Sequence, residues 1–224
     1  MPYALCATRN PQRGFIMHIS EGVLSPTVLI AGAGLTAAGV AIGLRKLETE
    51  EIPSMGILSA GFFVASLVQV PIGPASVHLV LSGLLGLLLG WKAFPAILVG
   101  LALQALLFQF GGLTALGVNT VNMALPAVLC YYLFGWGVRP GARHLVFVVS
   151  AFACGAFPIL LSGVMVGFSL YLTGEAFLPA AKLVVAAHIP VMLIEGALTV
   201  ACTLFLKRVK PELLEGHYAS RSPS

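Results

Sequence analysis

Three residues stand where they could hold a transition metal. Met17 and His18 open the stretch MHISEGVLSP, directly before the first long apolar run, and His78 closes the loop IGPASVH between the second and third runs. In a chain beginning at Met17, one dipeptide offers three nitrogens: the free α-amine, the His18 backbone nitrogen and the His18 imidazole. These close fused five- and six-membered chelate rings lying near one plane, and the His78 imidazole would complete a square-planar set of four. Ni(II) favours that geometry and low-spin Co(II) accepts it. Zinc prefers a tetrahedron and magnesium an octahedron of oxygens, so such a site selects by shape. Plainer roles stay open to both histidines: His18 as an interfacial polar group, His78 as a partner for backbone groups at a helix start.

Other polar residues are placed to support such a site. Asn119 and Asn122 are three apart, one helical turn, at the entry to a later apolar run. They could cap a helix, or orient the histidines and hold the loop. Ser76 and Ser20 could serve in the same way. His188 and Glu195 fall inside the last apolar run, seven residues apart and so on nearly one helical face. Ionisable groups at membrane depth are costly and are paired inside a bundle. They read either as makers of structural hydrogen bonds between helices, Glu195 being protonated or paired with a polar neighbour, or as functional groups beneath the metal site. The four cysteines, Cys6, Cys130, Cys154 and Cys202, lack ligand spacing and read as small apolar residues.

The elements that must position these residues follow from composition. Of 224 residues, 58% are hydrophobic and only 9% charged, with a mean hydropathy of +1.00. A soluble domain carries about 25% charged residues, so lipid is the solvent for most of this chain. The expected fold is all-α, a polytopic integral membrane protein with about seven transmembrane helices, at 23–44, 55–70, 78–90, 94–110, 121–136, 145–172 and 181–206. A kink is expected at Pro158 and an interruption at Pro190. Small residues line the first run, with Ala33, Ala37 and Ala41 on one ridge and Gly34, Gly39 and Gly43 beside it, as close helix packing in lipid requires.

Residues 1–16 contain no apolar run of signal-peptide length and read as a mis-called start or a removable extension. Residues 17–210 read as one transmembrane domain and 211–224 as a polar cytoplasmic tail. With Met17 outside, the cytoplasmic side carries Arg45, Lys46, Lys92, Arg139, Arg143, Lys207, Arg208, Lys210 and Arg221, and the outside carries Lys182, plus Arg9 and Arg13 if the extension is kept. That is a positive-inside arrangement. It places Met17, His18, the His78 loop, Asn119 and Glu175 on one external face. The net charge of +4 is explained by this placement and is no nucleic-acid signal. The chain has no His-Glu-x-x-His, no Gly-x-Ser-x-Gly with a partnered histidine and no Walker motif, so no enzyme activity is expected.

Four blocks, MHISEGVLSP at 17–26, GPASVHLVLSGLLGLLLG at 73–90, GVNTVNMALP at 117–126 and AHIPVMLIEGALT at 187–199, carry a resemblance. The chain resembles the CbiM/NikM substrate-capture components of energy-coupling-factor transporters for cobalt and nickel. Family members begin at the Met-His pair, whereas this chain has sixteen residues before it. The resemblance implies the specificity component of an ATP-driven importer in a bacterial or archaeal plasma membrane. Its cargo would be Co(II) or Ni(II), for cobalamin biosynthesis or for nickel metalloenzymes, with no organic cofactor. Its implied partners are a transmembrane coupling subunit, ATP-binding cassette subunits that hydrolyse the ATP, and a small accessory membrane protein. The small-residue ridge on an early helix would touch the coupling subunit. The competing reading is a metal-independent permease or assembly subunit using His188 and Glu195 as a proton relay.

Overall fold

The computed structural model describes residues 19, 22–72, 75–174 and 178–215, and only the backbone of residues 69–72, 75–78, 180, 181, 183, 187 and 215. Long apolar runs in lipid satisfy their backbone within the run, as helices. The described residues form α1 (Pro26–Arg45), α2 (Ile52–Ala65), α3 (Ser82–Leu89), α4 (Ala93–Phe108), α5 (Leu116–Phe134), α6 (His144–Thr173), α7 (Leu178–Val209) and a short α8 (Glu212–Glu215). Five segments are long and apolar enough to cross a membrane: Pro26–Arg45, Ser82–Phe108, Leu116–Gly137, His144–Thr173 and Val184–Val209.

The helical membrane architecture expected from the sequence is present, with the second and third spans much shortened. α2 has 14 residues and α3 has 8, roughly 21 and 12 Å of helix against a hydrocarbon core of about 30 Å. Between them the chain forms a two-stranded antiparallel hairpin, β1 (Gln69–Ile72) and β2 (Ala75–His78), with Gln69 opposite His78 and Ile72 opposite Ala75. Pro71 has no N–H for a helix, and Val70, Ile72 and Val77 are β-branched, which favours extended backbone. His78 therefore ends a strand and does not begin a helix. Helix resumes only at Ser82.

The Ser82–Phe108 segment reverses direction at Gly90, whose φ of 54° and ψ of −124° suit a residue without a Cβ. Before the reversal α3 lies against α5, with Gly86 on the Ala127 carbonyl. After it α4 starts beside the end of α1, with Pro95 on Gly43. α3 is buried along its whole length, and Gly83 meets the Cys154 carbonyl of α6. α6 and α7 are continuous through Pro158 and Pro190. The interruption expected at Pro190 does not occur, because one missing bond in a long packed helix is tolerated in lipid.

The small residues of α1 divide between two faces. Gly32, Thr36, Gly39 and Gly43 are buried, and the Thr36 hydroxyl donates to the Gly117 carbonyl at 2.6 Å. Ala33, Ala37 and Ala41 are exposed on the other side. The ends of α1 and α7 and the starts of α2, α4 and α6 make a basic end. There Lys92 pairs with Glu51 at 2.5 Å, and the Lys207 ammonium lies 4.5 Å from the Phe147 ring centroid.

Candidate metal centre

The opposite end of the bundle receives Ile19. Ile19 is buried and belongs to an apolar cluster with Leu24, Val118, Val166 and Leu170, drawn from α5 and α6, with Val184 of α7 packed against it. Asn119 fixes it there. The Ile19 N–H donates to Asn119 Oδ1 at 3.1 Å, and Asn119 Nδ2 donates to the Ile19 carbonyl at 3.1 Å. An apolar side chain alone would set depth but not register. The two-way amide pairing sets both, and satisfies backbone groups that burial would otherwise leave unpaired. Ser25 extends the attachment, its N–H reaching the Thr173 hydroxyl at 3.4 Å.

Asn119 and Asn122 are the fourth and seventh residues of α5 and lie inside the helix rather than capping it. Asn122 is buried, and among the described residues its Nδ2 has no hydrogen-bond partner. A buried amide donor without a partner is uncommon, and this one lies one turn from the Ile19 clamp.

The hairpin enters the same frame. Leu79 N–H continues the ladder to the Val68 carbonyl at 3.2 Å, and Val80 joins an apolar cluster with Met123, Ile159 and Val191 of α5, α6 and α7. Ile19 is bonded at Asn119 and Val80 shares its cluster with Met123. That cluster also takes in Ala124, Ala127 and Val128 of α5. The segments that follow His18 and His78 thus pack against the same three helices.

Met17, His18, Ser20 and Glu175 lie outside the described residues, as do the side chains of Ser76 and His78. Among the described residues no three His, Cys, Asp or Glu side chains gather as a metal cluster.

His188 and Glu195 are both buried on the face of α7 turned to α6: Gly163 meets the His188 ring and Gly155 the Glu195 carbonyl. They engage different partners. His188 Nδ1 contacts the Val184 carbonyl at 2.8 Å, within its own helix. The Glu195 carboxylate accepts from the backbone of the residues just before α3, Val80 N–H and Leu81 N–H, the latter at 3.0 and 3.2 Å to its two oxygens. Among the described residues no hydrogen bond joins the two side chains. Sequence reading missed the partners of Asn119 and Glu195 because both are main-chain groups of apolar residues, which carry no mark in the sequence.

A bundle of apolar helices, five segments of which among the described residues are long and apolar enough to cross a membrane, is the fold of an integral membrane protein. The chain belongs to the CbiM family, described as the cobalt uptake substrate-specific transmembrane region, whose model matches residues 18–213. It is 41% identical over 199 residues to a putative metal transport protein of Haemophilus influenzae, covering 88% of this chain and 97% of that one. It is 30% identical over 230 residues to the fused nickel transport protein NikMN of Rhodobacter capsulatus, covering 92% of this chain and 66% of that longer protein. Among solved structures, a transition metal transporter superposes with a TM-score of 0.70 at 25% identity, covering 92% of this chain and all of the other.

Proposed function

We propose that this protein captures Co(II) or Ni(II) at the end of the bundle where Ile19 is clamped, using the Met17 amine, the His18 backbone and imidazole nitrogens, and the His78 imidazole. The observation that carries the reading is the Asn119–Ile19 pairing. It fixes the residue next to His18 on α5, the helix whose apolar cluster also takes in Val80 of the segment that follows His78. The Asn122 amide, which has no hydrogen-bond partner among the described residues, and Ser76 would orient an imidazole or a metal-bound nitrogen. A planar set of four nitrogens held on rigid helices selects by geometry, because the ion must fit the plane to gain all four bonds.

The basic end faces the cytoplasm in this reading and the metal end faces out, following the positive-inside bias. Energy comes from ATP hydrolysed by separate cassette subunits, through a transmembrane coupling subunit and with a small accessory protein. The fused architecture named for the Rhodobacter relative supports a multi-component assembly. The exposed Ala33, Ala37 and Ala41 ridge of α1 suits close approach by a helix of the coupling subunit.

The test is the intact mass of protein purified from its native host, with and without a metal chelator. A mass beginning at Met17 with one bound cobalt or nickel is expected. A mass beginning at Met1, with neither metal retained when offered, overturns the four-nitrogen site.

A further inference from the structure

We propose that Glu195 is a positioning residue for His78: from the middle of α7 its carboxylate fastens the start of α3, and with it the strand that ends at His78. The metal-binding part of this inference rests on the capture reading above.

Four observations converge. Glu195 is fully buried, and both of its oxygens receive hydrogen bonds from Val80 and Leu81, two and three residues after His78. The chain just before α3 lies inside the bundle, so the Val80 and Leu81 N–H groups have neither a preceding helical turn nor water to bond them. A carboxylate there meets those donors and the positive end of the helix dipole together. Leu81 has a φ of 51°, in the left-handed region that a bulky L-residue avoids. Such a kink persists only where its surroundings hold it, and the Leu81 N–H is a group that Glu195 holds. The hairpin ladder then runs unbroken from the clamp towards His78, through Leu79 on Val68 and His78 opposite Gln69. With α3 anchored, the position of the His78 backbone is set by a residue more than a hundred positions later in the chain.

The length of the side chain matters. Aspartate is one methylene shorter and would withdraw the carboxylate by about 1.5 Å, beyond reach of both donors at once. Glutamine keeps the length and one acceptor oxygen, which can take the place of Oε1, but turns an NH2 group towards the Leu81 N–H that Oε2 accepts.

The test uses the full-length protein in nanodiscs, with Glu195→Ala, Glu195→Gln and Thr203→Ala compared for Ni(II) affinity by titration calorimetry and for amide exchange by mass spectrometry. Thr203 is a buried residue of the same helix whose hydroxyl bonds only α7 carbonyls, so its variant reports generic damage to α7. Glu195→Ala is expected to weaken Ni(II) binding at least tenfold and to speed exchange at Val80 and Leu81 without changing α5 or α6. Glu195→Gln, close in shape to the native residue, should show a smaller loss in the same direction. Thr203→Ala should match the parent. Parental Ni(II) affinity in both Glu195 variants, or exchange speeded evenly over the bundle, overturns the positioning role. A parent protein that takes up no Ni(II) sinks the capture reading and the metal role together. Exchange at Val80 and Leu81, which needs no metal, still decides whether Glu195 holds the start of α3.

Discussion

Asn119 and Ile19, one hundred residues apart, exchange two hydrogen bonds of 3.1 Å as if the asparagine amide were a strand edge. Through this contact a helix interior dictates where the N-terminal segment sits. Asn119→Ala leaves a buried N–H and a buried carbonyl of Ile19 unpaired, at about 1–3 kcal/mol for each group. Nickel affinity measured by titration calorimetry should fall at least tenfold, with the helical circular-dichroism signal retained. Unchanged affinity would remove Asn119 from the site.

His78→Ala separates capture from a metal-independent permease. The hairpin pairing at this position is made by the main chain, so the substitution should shift thermal unfolding only slightly. Metal uptake by cells expressing the variant with its partners should be lost. Continued uptake at the parental rate would instead make His78 incidental.

Acid should release the metal. An imidazole binds metal only when neutral, and an unperturbed histidine protonates near pH 6.5. Below that value protons compete at His18 and His78, so affinity should drop by up to about tenfold per histidine for each pH unit. The direction is fixed: binding weakens as pH falls, first as protons compete for the Met17 α-amine, whose ordinary pKa is about 7.7–8.0, and then for the imidazoles. Equilibrium dialysis with Co(II) or Ni(II) from pH 8 to pH 5 measures this, and a flat profile would exclude histidine ligands.

Close packing around α3 gives a stability prediction away from the metal. A Cβ at Gly83 would strike the Cys154 carbonyl, and one at Gly86 the Ala127 carbonyl. Both obstacles are backbone and cannot rotate away. Gly83→Ala and Gly86→Ala should each destabilise the bundle by about 1–3 kcal/mol, as overpacking does, read as a lower midpoint of thermal unfolding in detergent. Gly34→Ala, at a position open on all sides, should not.

The helical spans were legible because long apolar runs have few alternatives in lipid. Their boundaries failed where the chain leaves the helix while staying apolar. Val68, Val70, Ile72 and Val77 look alike in a helix, a strand or a loop, so the hairpin at 69–78 read as a loop at 71–77 between a span ending at 70 and one beginning at 78. Asn119 and Glu195 stood out because polar groups within apolar runs must find partners. Their partners stayed hidden because Ile19, Val80 and Leu81 contribute only main-chain atoms. The His188–Glu195 spacing correctly placed both on one helical face, but a shared face did not make them a pair. Each had a nearer backbone group to bond.

The attachment of α3 to Glu195 also bears on biogenesis. Ribosomes deliver this chain from the N-terminus, so Val80 and Leu81 enter the membrane over a hundred residues before the carboxylate that receives their N–H groups. A nascent chain that has not reached α7 holds the beginning of its third segment as raw, unmatched main chain in a medium that offers no water. The early helices can therefore assemble only provisionally. Completion waits for the last helix, and a product truncated before it is incomplete at its centre rather than at its edge.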